Sequence, residues 1–130
     1  MSINQKPLYL TANSRTTIFT KLVRDHAGAP PVIAAPSDSC ELVIAKMSTH
    51  RISAALIVNT DGRIAGIVTE QDIVRRVAFK TAPHTPVRDV MTTPVMTVFG
   101  DDYLYHAIAQ MRRHRLHHMP VLNREGRAEG

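Results

Sequence analysis

The chain repeats itself. Shifted by 64 positions, residues 23–66 fall on 87–130 without a gap, with 14 identities in 44. "VRDHAGAPP" (23–31) meets "VRDVMTTPV" (87–95). "DSCELVIAKMSTHR" (38–51) meets "DYLYHAIAQMRRHR" (102–115), and "NTDGRIAG" (59–66) meets "NREGRAEG" (123–130). Self-similarity at a fixed period marks a duplicated structural unit. Any fold proposed for this chain must therefore be buildable twice from the same pattern.

Each copy reads the same way. Pro30 and Pro94 open short apolar segments, "PVIAA" and "PVMTVF". Asp38 and Asp102 suit helix N-caps. After them Cys40, Val43, Ile44 and Met47 follow i, i+3, i+4, i+7 spacing, and Leu104, Ala107, Ile108 and Met111 take the same phases, so both segments predict amphipathic helices. A strand follows, "ISAALIVN" or "LHHMPVLN", and then a turn, "NTDGR" or "NREGR", whose Asp61-Gly62 pair is a hairpin signal. In the first copy the strand "IAGIV" leads into a helix from about Thr69 to Lys80. The expectation is an α/β (α+β) chain of two β-α-β-β-α units, 23–80 and 87–130, joined by the proline-bearing linker 81–86. Residues 1–22 form an extension in which "NSRTTIFTKLVRD" predicts an N-capped helix. The second unit stops at Gly130, the partner of Gly66, and is expected to lack its last strand and helix.

Composition narrows the function classes. Apolar residues make up 44%, enough for a core, yet the longest run, "AALIV" at 54–58, is strand-sized. A membrane-spanning helix needs about 20 such residues. "MSINQKPLYL" carries no extended apolar signal region, and Cys40 is the single cysteine, so a cytoplasmic protein without internal disulfide or Cys-x-x-Cys zinc site is expected. Sixteen Lys and Arg against eleven Asp and Glu give a formal charge of +5, which suits an anionic partner. Three Tyr, three Phe and no Trp offer few stacking platforms, which argues against single-stranded nucleic acid. No Ser-His-Asp arrangement, P-loop or paired catalytic carboxylates occur; Asp101-Asp102 reads as a cap, and Cys40, on a helix core face, as a buried hydrophobe. No enzyme activity is expected.

The stretch "GIVTEQDIVRR" (66–76) runs from strand to helix with Thr69 and Asp72 three residues apart. A Thr followed at the third place by an acid is a capping-box-like helix start. The same pair could instead hold a ligand.

"GRIAGIVTEQDIVRR", "HRISAALIVN" and "HRLHHMPVLN", in register with the repeat, resemble a tandem pair of cystathionine-β-synthase (CBS) domains over roughly residues 23–130. "DDYLYHAIAQMRRHRLHHMPV" further resembles CBS pairs in bacterial multidomain proteins that carry a nucleotidyltransferase-like domain. The resemblance implies a regulatory, non-catalytic module whose units pack about a pseudo-twofold axis and dimerise. It implies an adenosine compound (AMP, ADP, ATP or S-adenosylmethionine) in the cleft between units, with no cofactor required.

In that arrangement Thr69 offers hydroxyl and backbone N–H groups to a phosphate, and Asp72 accepts from both ribose hydroxyls. Val95, Met96 and Thr97 lie opposite, and Leu116, His117, His118, Met119 and Pro120 line the other side. The twin cleft would use Ile33, Ala34, Ile52, Ser53 and Ala54, but its Thr-x-x-Asp would fall beyond Gly130, so at most one competent site is expected. Ala34 and Ala35 depart from the family pattern, standing where a hydroxyl often occurs.

"MRRHRLHHMP" (111–120) holds three arginines and three histidines. It reads as a solvated helix end complementing the dipole, as phosphate contacts from Arg115, His117 or His118 with pH-sensitive affinity, or as a metal site of His114, His117 and His118. The last is disfavoured because a strand points His117 and His118 to opposite faces. The leading function is a nucleotide-sensing module that controls an attached domain of a longer parent. The alternative is a ligand-free structural dimerisation module. Nucleic-acid binding stands third, and no membrane partner is expected.

Overall fold

A computed structural model describes residues 19–28, 31–77 and 82–130. Contacts divide the chain into two units: Pro31–Val95, and Met96–Gly130 together with the described residues up to 28.

In the 31–95 unit, β1 (Val32–Ala34) runs parallel to β2 (Ala54–Val58), and β2 pairs antiparallel with β3 (Ile64–Thr69), giving the sheet order β1-β2-β3. Helix α1 (Cys40–His50) makes the β1–β2 crossover. Its Cys40, Val43 and Met47 are buried and Ile44 partly so, as the spacing predicts, and they pack on Val32, Ala34, Ala55, Ile57 and Val68 of the sheet. Asn59–Arg63 closes the hairpin: Asn59 N donates to Arg63 O at 2.8 Å and Gly62 takes φ 86°, a left-handed value that glycine reaches without steric cost.

The 96–130 unit repeats the β-α-β part of this plan, with a two-stranded sheet. Strand β4 (Val98–Phe99) runs parallel to β5 (Val121–Leu122), with α3 (Leu104–Arg113) between them. Leu104, Ala107, Ile108 and Met111 are all buried on one face of α3. Asn123 N donates to Arg127 O at 2.8 Å and Gly126 takes φ 85°. Arg51 caps α1 at φ 52°, and Arg115, two residues past the end of α3, takes φ 54°; both left-handed residues turn the chain back toward the sheet.

The leading turn of each repeat joins the unit built from the other copy. Val23–Asp25 is a 3₁₀ turn in the 96–130 unit, and Val87–Asp89 is its counterpart in the 31–95 unit. Val23 N donates to Asp102 O and Val87 N to Asp38 O; Arg24 N donates to Gly100 O and Arg88 N to Pro36 O. Val23 and Val87 are almost completely buried and complete the two cores. A Val followed by Arg and Asp thus inserts one apolar side chain while the two charged residues after it stay exposed.

Several local expectations change. Asp38 and Asp102 are not the N-caps. Ser39 caps α1, its hydroxyl accepting from Leu42 N at 3.1 Å, and Tyr103 occupies the cap position of α3. Asp38 and Asp102 close the preceding turns, each accepting from the backbone N–H three residues back, Ala35 and Phe99, at 2.8 Å. The expected helix over 69–80 is a short α2 (Glu70–Asp72) passing into a π-helical turn, Ile73–Val77; residues 78–80 lie outside the described ones. Of "LHHMPVLN" only Val121–Leu122 joins a ladder. The left-handed Arg115 and the missing N–H of Pro120 leave 116–120 outside regular pairing. The N-terminal helix expectation falls largely outside the described residues, though residues 19–20 are helical.

Cys40 is 2% exposed. Burial, and secondarily the Asp89 carboxylate, push its thiol above the ordinary pKa. A raised folded-state pKa favours the thiol form, so the associated stability is present below the ordinary thiol pKa and is lost as pH rises through the raised value. Cys40 is expected to react with a thiol-specific aromatic disulfide only after denaturant unfolds the chain. Rapid labelling of the native protein at neutral pH would contradict this burial.

Candidate functional site

The corner between β3 and α2 is the best-defined polar constellation in the 31–95 unit. Thr69 ends the strand with extended backbone angles and caps α2. Its Oγ1 accepts from Asp72 N at 3.3 Å, and Asp72 Oδ2 accepts from Thr69 N at 3.0 Å, a reciprocal capping box. The Thr69 hydroxyl also donates to Asp72 Oδ2 at 3.2 Å. Glu70 N donates to Ser53 O at 3.0 Å, tying the helix start to the chain entering β2.

Among the described residues of this unit Asp72 is the buried charged one, 9% exposed. A carboxylate at such a site needs hydrogen-bond partners. Besides Thr69 it has Thr92, whose hydroxyl donates to Asp72 Oδ1 at 3.0 Å. Thr92 is itself fixed by backbone: Ile67 N donates to Thr92 O at 3.0 Å and Thr92 N to Ile67 O at 2.8 Å. Arg76, one helical turn beyond Asp72, donates from Nη1 to Val90 O at 3.0 Å and Met91 O at 3.3 Å. The segment 90–92 is thus held to the β3–α2 corner by a backbone bridge, a guanidinium and a hydroxyl–carboxylate bond.

Sequence reasoning missed Thr92 and Arg76. Arg76 carried a weak signal, because i and i+4 share a helix face. Thr92 carried none, lying 20 positions from Asp72. Gly66 permits the bridge: a Cβ there would lie 3.0 Å from Thr92 O and overlap the Met91 side chain.

The other expected site residues divide between the units. Val95 is half-buried in the 31–95 unit, outside regular structure. Met96, Thr97, Leu116, His117, His118, Met119 and Pro120 belong to the 96–130 unit. Met119 is fully buried in that unit's core, against which Met96 and Leu116 also pack. Pro120 is buried and accepts from Val98 N at 3.1 Å. His117 is exposed and His118 half-buried. Met119 therefore offers a ligand backbone only, whereas His117 and His118 keep side-chain surface.

A shallow cleft in the same unit, between Arg24, Asp101, Asn123, Arg124 and Glu129, contains none of the expected site residues. There Arg124 grips Asp101 with two nitrogens, at 2.9 and 2.6 Å, and lies over the Phe99 ring. That hydrogen bonding lowers the Asp101 pKa. Among the described residues no group of three His, Cys, Asp or Glu side chains is placed to hold a metal ion. No helix among them is long and apolar enough to cross a membrane.

Residues 23–78 and 87–130 match the CBS domain. Curated relatives include the CBS domain-containing protein CBSCBSPB1 of Arabidopsis thaliana, 27% identical over 124 residues, and the uncharacterised protein MK0525 of Methanopyrus kandleri, 29% identical over 101. The matches cover 94% and 76% of this chain but only 22% and 52% of those proteins. Among solved structures, the CBS domain protein PAE2072 from Pyrobaculum aerophilum, complexed with AMP, is 27% identical with a TM-score of 0.78; the match covers 85% of each chain. The CBS domain pair of protein MJ0100, in complex with 5′-methylthioadenosine and S-adenosyl-L-methionine, is 26% identical with a TM-score of 0.76, covering 85% of this chain and 86% of that one. A repeat of 64 residues folded twice on one plan, with matches over both copies, makes this chain a member of the CBS domain family, a tandem pair.

Proposed function

We propose that this CBS pair binds an adenosine nucleotide through Thr69 and Asp72 and conveys its occupancy to a domain attached to the chain. The supporting observation is the Asp72 carboxylate: buried, oriented by Thr69, and carrying two acceptor oxygens at a strand-to-helix corner. Two acceptors and no donor are what a ribose cis-diol requires. The AMP complex of PAE2072 and the methylthioadenosine and S-adenosylmethionine complex of MJ0100 support the ligand class. In this reading Val95, Met96, Thr97, Leu116, His117, His118, Met119 and Pro120 supply the remaining contacts, with the adenine held by apolar and backbone groups. Control of the attached domain requires that the nucleotide bind two states of the pair unequally. Part-length matches to longer proteins, among them 20% of an inosine-5′-monophosphate dehydrogenase from Mycobacterium leprae, support a module within a larger chain.

Calorimetric titration with AMP, ATP and S-adenosylmethionine tests the reading. Saturable binding of at least one is expected. Heat of dilution alone for all three would overturn it.

One observation favours a second reading. Both Asp72 oxygens already accept bonds inside the 31–95 unit, so Thr69 and Asp72 also make sense as a structural cap. A ligand-free dimerisation module would sediment as a stable dimer whose mass and melting temperature ignore all three compounds.

A further inference from the structure

We infer that the Thr92 hydroxyl competes intramolecularly with the ligand's ribose, setting both the affinity and the diol selectivity of the site. This rests on the nucleotide reading above. Asp72 Oδ2 is committed to the corner, accepting from Thr69 N at 3.0 Å and Thr69 Oγ1 at 3.2 Å. Breaking those bonds would uncap α2. Oδ1 is the exchangeable oxygen, because it accepts from Thr92 Oγ1 at 3.0 Å across 20 residues of sequence. In the inferred exchange a ribose hydroxyl donates to this oxygen in place of the threonine hydroxyl. Displacement needs only side-chain rotation, since the Thr92 backbone stays bonded in both directions to Ile67.

The fold itself does not demand the hydroxyl. The repeat places Gly28 at the position of Thr92, and the two leading turns make matching backbone hydrogen bonds, from Val23 to Asp102 and from Val87 to Asp38. Thr92 is therefore a positioning residue for Asp72, and its presence makes a diol exchange one hydrogen bond for another.

The test compares AMP with 2′,3′-dideoxy-AMP on the full chain, by calorimetry, for the original protein, Thr92→Val and Thr92→Ser. One net hydrogen bond corresponds to a change of about fivefold in affinity. Thr92→Val is expected to tighten AMP by about that factor while leaving dideoxy-AMP unchanged, so the ratio of the two affinities widens about fivefold. Thr92→Ser, which keeps the hydroxyl, is expected to retain the original ratio. A purely structural role would shift both ligands together. An unchanged or narrowed ratio in Thr92→Val, with AMP still binding, overturns the inference and leaves the nucleotide reading intact. Absence of AMP binding to the original protein and to every variant overturns the nucleotide reading and the inference with it. Should Thr92→Val fail to give a cooperative melt, Thr92→Ala removes the same hydroxyl without adding bulk and carries the same expectation.

Discussion

Asp72→Ala is expected to weaken AMP binding by more than tenfold and to destabilise the fold by about 1–3 kcal/mol. The stability loss follows from three donors left without their acceptor: Thr69 N, Thr69 Oγ1 and Thr92 Oγ1. Thr69 is half-buried and Thr92 exposed, so water recovers part of the loss and the cost stays within the about 1–3 kcal/mol of an orphaned group. The binding loss follows from the missing carboxylate, since hydrogen bonds to a charged acceptor contribute about 1.5–3 kcal/mol. Asp72→Asn separates the two roles. Its amide oxygen can keep the Thr69 bonds and its NH₂ can donate to the Thr92 hydroxyl, so the fold should lose little. A ribose diol, however, would meet the donor NH₂ where the original carboxylate offers its exchangeable acceptor, Oδ1. Asp72→Asn is therefore expected to melt close to the original protein while binding AMP nearly as poorly as Asp72→Ala. Matched losses of stability and binding in both variants would assign Asp72 to the cap alone.

Gly66→Ala is expected to cost about 2 kcal/mol, read from the urea midpoint. An alanine in a strand interior ordinarily gains up to about 1 kcal/mol over glycine, because the unfolded chain has less freedom to lose. Here the sign reverses. The added Cβ would sit 2.7 Å from Met91 Cγ, overlap Met91 Sδ, and press on Thr92 O at 3.0 Å. The methionine is half-buried against the core, and the carbonyl is fixed by its bond from Ile67 N, so relief must displace one of them. Overpacking of this kind costs about 1–3 kcal/mol. The double variant Gly66→Ala/Met91→Ala should lose less than the sum of the single losses, because removing the thioether opens the space that the new methyl needs. A neutral Gly66→Ala, or strictly additive losses, would show that strand and segment are not held as tightly as the geometry requires.

The repeat made the architecture legible before any coordinates. Helical phases at Cys40, Val43 and Met47, and at Leu104, Ala107 and Met111, translate directly into buried faces, because a periodicity of 3.6 is a local property of the chain. The turns at Gly62 and Gly126 were equally readable. Aspartates before a helix were a weaker guide: Asp38 and Asp102 serve the turn behind them, and Ser39 takes the cap. Asp and Ser rank as near equals at a cap, so local preference alone does not separate them. The corner at Thr69 and Asp72 was visible as a motif, and the capping box is present as its spacing predicts. Its supporting partners were not, because Thr92 and the carbonyls held by Arg76 reach the corner through tertiary folding. The joining of Val23–Asp25 to the unit of the second copy was likewise hidden, since a repeat reveals which segments are equivalent but not which of them pack together.

Diffraction from crystals grown with AMP decides whether the β3–α2 corner holds a nucleotide. The expected density has both ribose hydroxyls within hydrogen-bond distance of the Asp72 carboxylate and Thr69 at its edge. Density for AMP elsewhere on the chain, with Thr69 and Asp72 bonded only to each other and to Thr92, would contradict it.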